Sequence, residues 1–159
     1  MHSISAVELL AREAGALALS HFKALGSVPV ESKGHLDLVT AADQDVERFL
    51  TEGLVKIFPN DGIFGEEGAA QQGNSGRTWV IDPIDGTFNF VRGGDQWAIS
   101  IGLYESAQPI FGVIFVPLRE QLLVGGVGLQ STLNGELIAQ RSGLDTSRAS
   151  CGVGFHPII

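Results

Sequence analysis

The chain has 159 residues, 44% of them hydrophobic and 18% charged, with 21 glycines and a net charge of -8. This is enough for one ordinary domain that buries roughly 68–70% of its unfolded surface, and the low charge fits a packed, sheet-rich core and not a disordered chain. The acidic balance without a basic patch argues against a nucleic-acid footprint, no apolar run approaches the length of a membrane span, and a single cysteine, Cys151, rules out an internal disulfide.

The first predicted element is a helix from about Ile4 to Phe22, where Val7, Leu10, Ala14, Leu17 and Ala18 form an apolar stripe. Leu25 to Ser32 carries Gly26 and Pro29 and reads as a turn leading to a short strand. Asp37-Leu-Val-Thr40 reads as another short strand. A second helix is expected from about Ala41 to Phe58, with Val46, Phe49, Leu50, Leu54 and Ile57 on one face. Asp45, Glu47 and Arg48 read as its solvent face, and Pro59-Asn-Asp-Gly62 ends it. Gly68 to Arg77 is a polar loop.

Trp79-Val-Ile81 reads as a buried strand, and Gly86-Thr87 as the opening of a short helix. Trp97 to Leu103 and Ile110 to Val116 are rich in β-branched and aromatic residues and read as strands, joined by a hairpin-like Tyr104–Pro109 connection. Gln121 to Val127 continues the meander, and Asn134-Gly135 is a type I′ turn signal. Two helices on one mainly antiparallel sheet make an α+β layer architecture. The far face of that sheet is expected to stay uncovered, and Phe111, Val113 and Phe115, or their opposite-face neighbours, are the residues it would expose.

Three acidic segments carry the functional signal. Asp82 ends the Trp79 strand, and Asp85 follows across Pro83. Pro83 favours a turn, and the ends of a four-residue turn lie less than about 7 Å apart, so the two carboxylates can converge. Such a pair takes up a proton or binds a cation. Gly86 and Thr87 can offer backbone N–H groups and a hydroxyl to an anion. Upstream, Glu66 and Glu67 sit between Gly65 and Gly68. A hard dication such as Mg2+ takes oxygen ligands, and Glu66, Asp82, Asp85 and the Ile84 carbonyl make a fitting set. Asp43, expected in the first turn of the second helix, is placed either to complement the helix dipole or to orient a hydroxyl such as that of Thr87.

Other patterns carry less. Gly125-Gly-Val-Gly128 has Ser131 where a dinucleotide fingerprint counted from Gly126 needs glycine. Ser100 lies inside a strand pattern and lacks the first glycine of a nucleophile elbow. His2, His21, His35 and His156 have no zinc-ligand spacing, Cys151 reads as a small buried group, and Asp95 as a loop acid. Met1-His-Ser-Ile-Ser lacks a basic stretch before an apolar core, which with the lone cysteine points to the cytoplasm.

Together, Asp37-x-Val-Thr-x-x-Asp43, Gly65-Glu-Glu67 and Trp79-x-x-Asp-Pro-Ile-Asp-Gly-Thr-x-Asn-Phe90 resemble the inositol monophosphatase family of Mg2+-dependent, lithium-sensitive phosphatases. The resemblance covers about Lys33 to Gly102 and implies the first half of a layered αβαβα architecture. It implies that Glu66, Asp82 and the Ile84 carbonyl hold one Mg2+ (or Mn2+) and that Asp82 and Asp85 hold a second. Glu66 and Thr87 would position or deprotonate the attacking water, with Asp43 supporting Thr87. Asp85, Gly86 and Thr87 would bind the substrate phosphate, and Lys33 would lie in the outer shell. The implied partner is a small phosphorylated metabolite: inositol monophosphate first, with fructose 1,6-bisphosphate, histidinol phosphate and phosphoadenosine phosphate as related substrates. A homodimer is the implied assembly, with neither nucleic acid nor membrane as partner. Family members run longer and carry a Trp-Asp element in their second half. Residues 1–159 therefore look like the N-terminal domain, with a site that is incomplete alone. The competing reading is an inactive metal-binding module that pairs with another protein.

Overall fold

Apolar side chains recurring every three or four residues draw two long helices onto one face of a sheet in this computed structural model, which describes residues 2–25 and 33–139, with side chains over 4–25 and 41–139. Helix α1 spans His2–Leu25 and buries Val7, Leu10, Ala11, Ala14 and Ala18. Helix α2 spans Lys33–Ile57 and buries Ala42, Val46, Leu50 and Leu54. Asp37–Thr40 is therefore helix and not the expected strand. The reason is visible in the pattern: Leu38, Ala42, Val46, Leu50 and Leu54 recur every fourth residue, so the helical period runs back through the segment. Asp43 consequently sits well inside α2, beyond the reach of the helix N-terminal dipole. The predicted turn and strand between Leu25 and Ser32, the side chains of Lys33 and His35, and Cys151 and His156 lie outside the described residues.

The sheet has eight strands among the described residues. They are β1 Gly62–Gly65, β2 Ala70–Gln71, β3 Arg77–Asp85, β4 Ala98–Glu105, β5 Gln108–Val116, β6 Gln121–Gly126, β7 Leu129–Leu133 and β8 Glu136–Leu137, in spatial order β2-β1-β3-β4-β5-β6-β7-β8. From β3 onward it is the expected meander. The polar segment after Gly68 contributes β2, which pairs antiparallel with β1. β1 and β3 are parallel, and the other pairs are antiparallel. Asn134 and Gly135 both have positive φ, at 52° and 82°, which is the hairpin turn their sequence predicts.

Strand alternation divides the sheet into two unlike faces. Ile99, Ile101, Leu103, Val113, Phe115 and Leu122 point toward the helices and join the core with Trp79 and Ile81. Thus Val113 and Phe115 are buried, and it is their neighbours Ile110, Gly112 and Ile114 that line the opposite, open face. Gly102, Gly112 and Gly125 stand in register across β4, β5 and β6 on that face.

Candidate active site

Parallel pairing of β1 with β3 brings two of the acidic segments together. Gly65 pairs with Ile81, so the residue after each strand position is an acid: Glu66 follows Gly65 and Asp82 follows Ile81. The Glu66 backbone N–H donates to the Ile81 carbonyl at 3.2 Å, fixing Glu66 beside the Asp82 step of β3. Asp82 and Asp85 are both within β3, and no four-residue turn separates them. Asp82 pairs with Ser100 and Asp85 with Ala98, so three steps on β3 match two on β4. A bulge thus replaces the predicted turn. Pro83 has no N–H to give to the ladder, and bulges are where strands accept proline.

Gly86 closes the bulged strand with φ 93°, and α3, Thr87–Val91, begins immediately after it. A Cβ at Gly86 would stand 2.6 Å from the Gln96 carbonyl oxygen, so glycine is required here by both backbone angle and space. The Thr87 hydroxyl donates to the Ile84 carbonyl at 3.0 Å. Its single proton is therefore committed to Ile84 and not directed at Asp43 in this conformation.

Helix α2 supplies two buried acids. Asp43 is 4% exposed, and its carboxyl is pushed up to about 7 by burial, then by the charges of Glu67, Glu66 and Glu47. Glu47, read from the sequence as a solvent-face residue, is 5% exposed. Its Oε2 accepts the Glu67 N–H at 2.7 Å and its Oε1 accepts the Ala69 N–H at 2.8 Å. Asp45 and Arg48 do stay at the surface, paired to each other at 2.7 Å, with His21 3.3 Å from Asp45. Glu67 is itself shifted upward by burial, then by Glu47 and Glu66.

The fit of these residues to a dication rests on Asp82. Its Oδ1 is buried without a hydrogen-bond partner. Its carboxyl is raised to about 7 by burial, by a hydrogen bond with Glu66, and by the charges of Glu66 and Asp85. A crowded, under-partnered carboxylate of this kind gains from a cation. No three acids, histidines or cysteines among the described residues form a ready-made cage. Mg2+ does not need one, because it is commonly held by one or two carboxylates, retained waters and substrate phosphate. The oxygen donors Glu66, Asp82, Asp85 and the Ile84 carbonyl suit it in type.

Beside Asp85 and Gly86 lies a cleft of about 440 Å3, lined also by Asn89, Asp95, Trp97 and Arg119. Arg119 Nη2 donates to Asp95 Oδ2 at 2.9 Å, and this pair holds the Asp95 carboxyl below its usual range. Sequence reading placed Asp95 in a loop but did not pair it with Arg119, which is 24 residues away. The signal for Glu47 was present: Asp43, Glu47, Leu50 and Leu54 follow helical spacing on one face, so two acids share the buried stripe.

Comparison with known proteins follows the same division of the chain. The family model described as the inositol monophosphatase family matches residues 2–157. The chain is 37% identical over 147 residues to the Nus factor SuhB of Xylella fastidiosa, covering 92% of this chain and 53% of that protein. It is 30% identical over 152 residues to the fructose-1,6-bisphosphatase/inositol-1-monophosphatase of Aquifex aeolicus, covering 96% and 58%. The crystal structure of extragenic suppressor protein suhB from Bartonella henselae superposes with a TM-score of 0.77 at 25% identity, over 90% of this chain and 56% of that one. The chain spans about half the length of the curated relatives it matches. With the family model matched almost end to end and the αβ layer shared with a solved relative, the chain belongs to the inositol monophosphatase family.

Proposed function

We propose that the chain is the N-terminal domain of a cytoplasmic, metal-dependent phosphomonoesterase, acting on inositol monophosphate or a related small phosphate ester. The observation that carries this reading is the juxtaposition of Glu66 with Asp82, whose Oδ1 is buried without a partner, at one end of β1 and β3, four residues before Gly86. Glu66, Asp82, Asp85 and the Ile84 carbonyl would hold Mg2+ or Mn2+. Bound there, the metal supplies an activated water and charge neutralisation for in-line displacement at phosphorus. Glu66 would accept that water's proton and the Thr87 oxygen would orient it as a hydrogen-bond acceptor, with Asp43 a buried acid near Glu66 and Glu67. The Gly86 and Thr87 N–H groups, at the start of a helix, are suited to phosphate oxygens. Lys33 belongs to the outer shell in this reading, and lithium sensitivity and a homodimer come with the family.

The test, run on the chain joined to the C-terminal half that its longer relatives carry, is Mg2+-dependent release of inorganic phosphate from inositol 1-phosphate, fructose 1,6-bisphosphate, histidinol phosphate and phosphoadenosine phosphate. Activity that EDTA and Asp82→Asn both abolish is the expected result. Release that survives either treatment would overturn the site. One observation favours a second reading, a metal-binding module that pairs with another protein: the open sheet face carries exposed Ile114 and Val127. Metal binding without phosphate release from any of the four esters would favour it.

A further inference from the structure

Helix α2 reaches the active-site turn through one side chain. The turn after β1, residues 66–69, carries Glu66 and Glu67, and like charges on Asp43 and Asp82 stand near it. Repulsion alone would push such a turn away from β3. Two backbone hydrogen bonds and one carboxylate oppose that. Gly65 N–H donates to the Ala69 carbonyl at 2.7 Å, closing the turn. Glu66 N–H donates to Ile81 at 3.2 Å, docking it on β3. Two further amides, Glu67 and Ala69, both donate to the buried Glu47 carboxylate.

Residue type matters at both ends of this contact. A carboxylate offers a separate acceptor oxygen to each amide at once; a carboxamide in the same place turns an NH2 toward one of them. Gly65 is what lets it come so close. A Cβ built there would collide with Glu47 Oε2 and stand 3.0 Å from the Ala69 Cβ. The glycine therefore serves an approach by a side chain of another element, not a special backbone angle.

We infer that Glu47 is a positioning residue: it clamps the 66–69 turn from α2 and so holds Glu66 against Asp82, with Gly65 as the gap that admits its carboxylate. The metal role of Glu66 on which this builds is that of the proposed function, while the clamp itself can be judged separately.

Amide hydrogen exchange by NMR on the 159-residue chain is the test, with Mn2+ titration of the same samples. In the wild type, the Glu67 and Ala69 amides should be protected. Glu47→Gln should speed exchange at Glu66, Glu67 and Ala69 roughly tenfold or more, while Ile101 and Val113 in the β4·β5 ladder do not change. Gly65→Ala, with Glu47 intact, should produce the same local pattern, and it carries the decision if Glu47→Gln does not fold. Mn2+ affinity should fall several-fold in both variants. Unprotected Glu67 and Ala69 in the wild type, unchanged exchange in the variants, or a rise spread evenly over β4 and β5 would overturn the clamp. A loosened turn with wild-type Mn2+ affinity would overturn the positioning role. If the wild type takes up no Mn2+, the proposed metal site fails, and the exchange pattern still decides the clamp.

Discussion

The indole of Trp79 donates from Nε1 to Asp61 Oδ2 at 3.0 Å, while Asp61 Oδ1 accepts Nε and Nη2 of Arg77 at 3.2 and 3.0 Å. Asp61 is 1% exposed, so this charge is compensated almost wholly by two residues of β3. It ties the start of β1 to the start of β3, at the ends of both strands away from the acids. Asp61→Ala leaves a buried indole N–H unsatisfied and strips Arg77 of its partner. The expected loss is about 3 kcal/mol, read from urea denaturation midpoints. A loss below about 0.5 kcal/mol, the usual range for plain surface substitutions, would show that the carboxylate is not needed to join the strands.

Asp82→Asn separates stability from binding. The substitution removes one charge from a crowded set of acids at a half-buried position, so the metal-free variant should be at least as stable as the wild type. Its Mg2+ or Mn2+ affinity should drop further than that of any other single acid variant in the site. Isothermal titration alongside thermal melts checks both halves. Equal metal affinity in the two proteins would remove Asp82 from the ligand set.

Stability should fall as pH rises from about 4 to about 7. Asp43 and Asp82 are both raised from the ordinary 3.8 to about 7 in the folded chain. Between those values the folded state binds protons that the unfolded state has released, so deprotonation favours unfolding across that window and has no further effect above it. Asp43→Asn removes one of the two contributions. Its thermal midpoint should exceed that of the wild type at pH 8 and approach it at pH 4, with a shallower slope between. A wild-type midpoint that climbs from pH 5 to pH 7 would contradict the shifts.

The open sheet face should drive association. Ile114 is 43% exposed and Val127 76%, and with Ile110 and Leu123 they border a depression of about 780 Å3. Apolar patches beyond a few hundred Å2 are unusual on soluble monomers. Light scattering should show mass rising with concentration, and Ile114→Lys should suppress the rise. A monodisperse monomer at high concentration would count against this.

Much of this architecture can be read from local pattern. The stripe of α1, the alternation in β4 and β5 and the Asn134-Gly135 turn are properties of neighbouring residues, and each predicts its element directly. What could not be read depends on distant partners. Nothing near Gly62–Gly65 states that it pairs parallel with β3, yet that pairing brings Glu66 to Asp82. Pro83 signals an interruption, and a bulge serves that purpose as well as a turn does; only the register with β4 distinguishes them. Glu47 reads as solvated because it stands beside Asp45 and Arg48 in sequence, yet it is buried. Its burial is offset by two amides contributed from 20 and 22 positions downstream. The acids of the site can be named from the sequence, and helical spacing marks Glu47 as buried, but nothing local states which amides it meets.

The glycine row of the open face has a consequence for what the sheet can tolerate. A Cβ on Gly102 would meet nothing nearer than 3.5 Å, and one on Gly112 nothing nearer than 3.8 Å. Neither glycine has positive φ, so within the described residues alanine would fit at both positions, and β-propensity gives no reason to prefer glycine. Together with Gly125 they leave a shallow furrow across three strands, running from beside Val80. Layers usually rest about 10 Å above a sheet; over this furrow a second layer can settle closer, backbone to backbone. Alanine at Gly102 and Gly112 therefore acts as a depth gauge: harmless to the chain by itself, and costly only to a surface that comes down into the groove.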